Sequence, residues 1–388
     1  MTTRLMDREA RDELQERGFS RRQIGRIAML FGAGAAMTQI PGPALAQQSA
    51  RAAVGAVRIG SNECWAGPFA EGVAAATENA VRGNRYEPDN DHAKLFAAVA
   101  AAEGIPADCV LAWPGSSDPL SRAVVTFCSP DRPLVTGNPS YEQSWGTAAW
   151  LGLKPIRVPL TADYRHDVKA MLAAGPNAGL YYVCSPNNPT GTLTPIADIE
   201  WLLANKPADS VVLVDEAYIH WADAPNAAKL ACSRKDMIVM RTFSKLFGMA
   251  GMRLGLTIAH PEIYKRMMRY DGWQITYMLP MTAVACGAAS LPLADKIAAR
   301  RAEMISVREE TLAHLKRRGL AYIPSRANMF MVDWGPGKDP KTMQAAFLAE
   351  NVQIGRSWDA YPTMSRITVG SAEDMKAFRT ALDKILKV

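Results

Sequence analysis

Apolar-rich runs at 109–113, 133–136, 155–160, 180–184, 211–214, 237–241 and 254–259 recur along the middle of the chain. Runs this short, with little polar alternation, predict strands buried on both faces, as in a mostly parallel sheet covered by helices. Stretches such as 118–128, 141–151 and 195–204 lie between them and predict the covering helices. From about Ala294 the pattern changes. A long charged helix reaching near Arg318 is followed by a strand around 329–334, a helix near 340–350, the segment 352–356, a strand at 367–369 and a final helix. The expectation is an α/β fold with a large domain over 87–293 and a smaller α+β domain over 294–388. Residues 47–86 are expected to pack on the small domain or on a dimer partner.

The first 46 residues follow another pattern, with SRRQI at 20–24, a weakly apolar stretch over 27–37 and ALA at 44–46 before Gln47. A charged region with paired arginines, a short apolar region and a small-residue cleavage site are the parts of a twin-arginine secretory signal. The expectation is recognition by the twin-arginine export machinery, removal of residues 1–46 and a periplasmic mature protein. The alternative is a cytoplasmic protein in which this segment is a basic amphipathic helix that arms a dimer. The apolar part is too short and too rich in Gly and Ala to span a bilayer, so no stable membrane anchor is expected in the mature protein.

Four motifs sit where strands should end. RTFSK at 241–245 sets Lys245 among the hydroxyls of Thr242 and Ser244, with Arg253 eight positions on. A lysine amine can form a Schiff base with a carbonyl cofactor, and hydroxyls with a guanidinium suit a phosphate dianion, which together suggest pyridoxal phosphate. VVLVDEAY at 211–218 carries Asp215 to the carboxyl end of a buried strand, where ligands of such sheets collect. A carboxylate against a pyridine nitrogen keeps it protonated and improves the ring as an electron sink. CSPNNPTG at 184–191 is too dense in Pro and Gly to continue a strand, so it should form a turn presenting the Asn188 amide; Asn188 and Tyr218 are candidate donors to a ring oxygen. WPGSSD at 113–118 places Ser116 and Ser117 before a helix, where backbone N–H groups can meet a phosphate.

The ordered set of these motifs with SNE at 61–63, RYEPD at 85–89, PSYE at 139–142, GMR at 251–253 and RITVG at 366–370 resembles the fold-type I pyridoxal-phosphate aminotransferases. Within them it is most similar to the histidinol-phosphate aminotransferase branch. The resemblance implies transamination between an amino acid and a 2-oxo acid in a homodimer with composite sites. It makes Lys245 the Schiff-base lysine, Asp215 the pyridine partner, Tyr141 the stacking aromatic and Ser116, Ser117, Thr242, Ser244 and Arg253 the phosphate binders. It also implies that Tyr86 reaches the neighbour's phosphate, that Arg366 clamps the substrate carboxylate and that Arg356 faces the distal substrate phosphate. Arg356 could equally accept a side-chain carboxylate or pair with Asp359. Where the family reads asparagine, glutamate, asparagine, proline and tyrosine, this chain has Asn62, Glu63, Cys64, Trp65 and Ala66. The lost tyrosine and the bulky Trp65 favour a free amino acid, its aromatic or bulky side chain packed on Trp65, over histidinol phosphate. The same residues are compatible with a decarboxylase or lyase, since fold does not fix function. A non-catalytic pyridoxal-binding protein would not need Lys245, Asp215 and Arg366 together.

A net charge of +6 without a basic run gives no case for nucleic acid. The six cysteines at 64, 109, 128, 184, 232 and 286 lack CxxC spacing, so no metal site is expected. An oxidising compartment permits disulfides. Cys109 and Cys184, lying in apolar runs, read as buried thiols.

Overall fold

The computed structural model describes residues 6–32, 55–270 and 278–387. Its central sheet is built from β2 (Val110–Trp113), β3 (Leu134–Asn138), β4 (Ile156–Pro159), β5 (Leu180–Cys184), β6 (Val211–Asp215), β7 (Met237–Thr242) and β8 (Gly255–Ile258), β1 being Val57–Ile59 elsewhere. The order across the sheet is β2-β8-β7-β6-β5-β3-β4. Only β8 runs against its neighbours, β2 and β7. The apolar runs work as predicted because alternate side chains enter opposite layers. Leu180, Tyr182, Leu213 and Met240 join one buried cluster. Tyr181, Val183, Val212 and Val239 join the other.

The small lobe holds an antiparallel sheet in the order β12 (Met364–Thr368), β10 (Met329–Asp333), β9 (Ala321–Ile323). The helices Ala294–Arg317, Pro340–Ala349 and Ala372–Leu386 complete it. β11 (Val352–Ile354) pairs in parallel with β1. The segment expected over 47–86 is thereby divided. β1 belongs with the small lobe, whereas the helix Ala70–Val81 lies on the helix Met281–Ser290, so closely that a Cβ on Gly72 would meet Cys286 Sγ at 2.8 Å.

Two helices, Arg8–Glu16 and Arg21–Gly32, occupy the N-terminal segment expected to leave as a signal. Leu14, Ile27 and Phe31 are buried in the same cluster as Val124, Met267 and Tyr270 of the large lobe. Arg17 donates to the carbonyls of Val125 (2.8 Å) and Cys128 (2.7 Å). The Phe31 ring stacks on Tyr270 at 5.8 Å and lies 4.6 Å from the Arg122 guanidinium. Arg21 and Arg22 remain exposed, and the expected cleavage site at 44–46 lies outside the described residues.

Cys109 is not a free thiol but forms a disulfide with Cys232, their Cα atoms 5.6 Å apart. The helix Ala228–Ser233, which precedes β7, brings Cys232 over the start of β2, within the span that a disulfide bridges. Cys184 is a buried free thiol. Among the described residues no helix is long and apolar enough to cross a membrane.

Candidate active site

The register of β8 gathers the site. Gly255, its first residue, is paired with Trp113 at the end of β2 and with Thr242 at the end of β7. Because β8 is antiparallel to both, the chain enters it at the edge where the other two strands leave. Arg253 before β8, Ser116 and Ser117 after β2, and Ser244 and Lys245 after β7 therefore converge. Two strands on, Asp215 ends β6 in register with Cys184 at the end of β5, which leads into Asn188. Arg253, Ser116, Ser117, Ser244, Lys245, Asp215, Cys184 and Asn188 line one cavity of ≈ 500 Å³ between the lobes.

One end of this cavity is a cradle for an anion. Ser117 opens the helix Ser117–Phe127, whose first N–H groups and dipole favour negative charge. Gly115 has φ +87°, and a Cβ there would lie 2.2 Å from an Arg253 nitrogen. Arg253 donates to the Ala250 carbonyl at 3.0 Å. Thr242 Oγ1 donates to Ser244 Oγ at 2.9 Å and accepts from the Ser244 N–H at 3.1 Å, so the two hydroxyls hold each other in place.

The acidic pair of the VDEAY segment splits between two tasks because successive side chains point to opposite faces. Glu216 turns away and binds the Arg241 guanidinium at 2.9 Å and the Ala227 N–H at 2.7 Å. Asp215 faces the cavity. Its Oδ1 accepts from the Ala217 N–H at 3.0 Å and its Oδ2 from the Tyr182 hydroxyl at 2.7 Å. Burial pushes the Asp215 carboxyl up to about 6, against the lowering effect of the Tyr182 and Ala217 hydrogen bonds. A cationic ring nitrogen beside it would restore the charged form.

Burial, reinforced by the nearby Arg366 charge, pushes the Lys245 amine down to about 8. Its Nζ lies 5.3 Å from the centre of the Tyr218 ring. The Tyr218 hydroxyl accepts from Asn62 Nδ2 at 3.0 Å, and burial raises its pKa. Arg366, on β12, donates from Nη1 to Asn188 Oδ1 at 2.8 Å and from Nη2 to the Gly60 carbonyl at 2.6 Å. This contact uses the Asn188 oxygen and leaves its amide N–H groups for another acceptor. The Nε of Arg366 is buried without an acceptor in the protein. Burial and the Arg356 charge bring its guanidinium down to about 10, despite the opposing pull of Tyr218. A carboxylate is the partner that this side chain lacks.

Trp65, Arg356 and Tyr86 complete the set of expected residues, and only Trp65 falls away from the site that it was expected to join. Trp65 lies outside the cavity, stacked on Trp221 with ring centres 6.0 Å apart. The aromatic wall is instead Trp358, which follows β11 in the small lobe. Arg356 lines the cavity but pairs with Glu142 at 2.6 Å rather than with Asp359. Tyr86 is 95% exposed and does not reach the cavity of its own chain. Tyr182 and Trp358 carried no sequence signal for the site, and Asn62 and Glu142 lay within the SNE and PSYE motifs without an assigned role. Burial lowers His166 to about 4, and its Nε2, 3.2 Å from the Cys184 backbone nitrogen, supports the turn after β5.

With Lys245 and Asp215 beside the anion cradle at the ends of the large-lobe strands and Arg366 reaching in from β12 of the small lobe, the cavity has what a pyridoxal-phosphate-dependent transferase requires. Residues 55–385 match the family model Aminotransferase class I and II, and the chain belongs to that family. It is similar to the aromatic amino acid aminotransferase of Rhodococcus jostii (strain RHA1), 33% identical over 328 residues that cover 84% of this chain and 88% of the relative. It is also similar to the histidinol-phosphate aminotransferase of Moorella thermoacetica (strain ATCC 39073 / JCM 9320), 31% identical over 340 residues and 85% of each chain. The crystal structure of histidinol-phosphate aminotransferase from Sinorhizobium meliloti in complex with pyridoxal-5'-phosphate superposes with a TM-score of 0.78 at 25% identity, covering 90% of this chain and 96% of that one. This chain is thus a pyridoxal-phosphate-dependent aminotransferase of fold type I.

Only an unprotonated amine attacks a carbonyl, so the lowered pKa of Lys245 sets the pH at which the cofactor is captured. With the amine at about 8 rather than 10.5, capture of pyridoxal phosphate by apoprotein should accelerate about tenfold between pH 7 and pH 9 and then level off. Stopped-flow absorbance measures this. A rate still climbing steeply through pH 10 would show an undepressed amine.

Proposed function

We propose that this aminotransferase takes its amino group from a free amino acid with an aromatic or bulky apolar side chain and passes it to a 2-oxo acid. The observation that carries the donor class is Trp358, whose ring lies in the cavity wall beside the carboxylate-seeking Arg366. The likeness to an aromatic amino acid aminotransferase supports it.

In this reading Ser116, Ser117, Thr242, Ser244 and Arg253 hold the cofactor phosphate and Tyr141 stacks on its ring. Asn188 and Tyr218 donate to its ring oxygen, while Asp215 holds the proton on its nitrogen. When bound, pyridoxal phosphate supplies a carbonyl carbon for amine exchange and a ring that accepts the electrons of a broken C–H bond. Arg366 grips the donor carboxylate and turns the α-hydrogen toward Lys245. The Lys245 amine takes the proton from the donor α-carbon and, in the second half, returns one to the α-carbon of the new amino acid. Tyr182 is a positioning residue that holds Asp215 without touching the reacting atoms.

A second donor reading has a specific support, since the histidinol-phosphate aminotransferases match about as well and Arg356 lines the cavity. Arg356 would there take the distal phosphate. Comparison of kcat/KM for phenylalanine, tyrosine and tryptophan with that for histidinol phosphate decides between them. We expect an aromatic amino acid to lead by tenfold or more, about 1.4 kcal/mol of transition-state discrimination. A lead of that size for histidinol phosphate overturns the aromatic reading.

We propose further that the enzyme is a homodimer in which Tyr86 completes the neighbour's phosphate site, supported by its exposure and by its not lining the cavity of its own chain. Mixing inactive Tyr86→Ala and Lys245→Ala subunits should restore activity, because one of the two sites in the hybrid is then intact. An enzyme that sediments as an active monomer rules this out.

For location we propose twin-arginine export to the periplasm, supported by the exposed Arg21 and Arg22 and by the Cys109–Cys232 disulfide, which suits an oxidising compartment. The docked Leu14, Ile27 and Phe31 favour a second reading in which the segment stays with a cytoplasmic enzyme. N-terminal sequencing of enzyme from the fractionated native host separates them. Export predicts periplasmic protein beginning near Gln47, and a cytoplasmic chain retaining residues 8–32 refutes it.

A further inference from the structure

We infer that Glu142 is a specificity-determining residue: by neutralising Arg356 it makes the distal end of the cavity discriminate against donors with anionic side chains. This rests on the aromatic-donor reading above and deepens it.

Two arginines stand side by side on the small-lobe wall. The Arg366 N–H donates to the Arg356 carbonyl at 3.0 Å, and the Gly355 N–H donates to the Arg366 carbonyl at 2.9 Å. Both guanidinium groups approach the Trp358 ring, at 4.1 Å for Arg356 and 5.4 Å for Arg366. Their electrostatic states differ. Arg366 bonds only to neutral groups, an amide oxygen and a backbone carbonyl, the Glu142 charge acting on it without a hydrogen bond, and its buried Nε has no acceptor. Arg356 already holds a carboxylate, its Nη2 2.6 Å from Glu142 Oε1. Of the two cations that could receive the two ends of a dianionic donor, one is open and the other is matched.

Glu142 reaches this position because it directly follows Tyr141 and immediately precedes the helix Gln143–Leu151 of the large lobe, with its carboxylate free of the helix end and turned to Arg356. The two side chains are 22% and 25% exposed, so solvent screens the pair only in part. An anionic donor side chain must displace Glu142 from Arg356 and then remain near the released carboxylate. Like-charge juxtaposition of this kind is how a site rejects a competitor without losing its preferred ligand. A neutral aromatic side chain disturbs neither charge and gains contact with Trp358.

Unreactive carboxylates test this without turnover. We expect the holoenzyme, titrated by calorimetry, to bind 3-phenylpropanoate at least tenfold more tightly than glutarate. Glu142→Gln should narrow that ratio at least tenfold by tightening glutarate. In an Arg356→Met background the same replacement should move the ratio less than twofold, since there is no cation to release. An unchanged ratio in Glu142→Gln, or an equal change without Arg356, overturns the inference. If the variants fail to fold, the wild-type ratio still decides, and glutarate binding as tightly as 3-phenylpropanoate refutes it. Failure of the donor reading is distinguishable: aromatic donors would then not turn over, while the Arg356-dependent shift in glutarate binding would persist.

Discussion

Gly255 faces Trp113 on one side and Thr242 on the other, and the reversed direction of β8 between those strands is the constraint on which the site depends. A strand parallel to its neighbours would enter from the far edge and carry Arg253 away from Ser116 and Ser244. The close approach needs glycine, since a Cβ on Gly255 would meet the Gly115 carbonyl carbon at 2.6 Å. The anion cradle is therefore a consequence of strand register, with side chains adding charge and hydrogen bonds to a place that the backbone has already made.

From that edge the electrostatics follow. Desolvation acts on Asp215, Lys245 and Arg366 in the same sense, making each less charged than in water, and each is left with a need that a bound partner meets. Glu216 shows the contrasting solution one residue away, where the Arg241 guanidinium, itself shared with Glu103, answers the carboxylate inside the protein. The two acids differ in role because pleating sends them to opposite faces. Arg366 also joins the lobes through Asn188, so the group that seeks a carboxylate is itself a contact between them.

The N-terminal segment shows how one pattern can satisfy two physical requirements. A charged stretch followed by a modest apolar one is what an export signal needs, and it is also what a helix needs to lie on a protein surface. Here Leu14, Ile27 and Phe31 enter the large-lobe cluster while Arg17 finds backbone carbonyls and Arg21 and Arg22 stay in solvent. Spacing alone does not separate these uses, because both depend on the same apolar residues.

The strands of the large lobe, the long helix of the small lobe and the local motifs around Lys245, Asp215, Asn188 and Arg253 are legible in the chain alone. Those features depend on neighbours in the chain: an apolar run makes a buried strand, Pro and Gly end it, and the next polar residue stands at its end. The partners that meet across the fold are set by packing between distant segments. Tyr182 and Asp215 share a hydrogen bond between adjacent strands, Cys109 finds Cys232 across 123 residues, and Arg356 finds Glu142 across the lobes. Trp65 and Trp358 show the difference best. Both are tryptophans in loops near a predicted substrate region, and nothing local distinguishes them. One packs on Trp221 away from the cavity and the other, buried against Ile323 and Met331, borders the cavity beside two arginines, because packing between distant segments decides which ring meets the site.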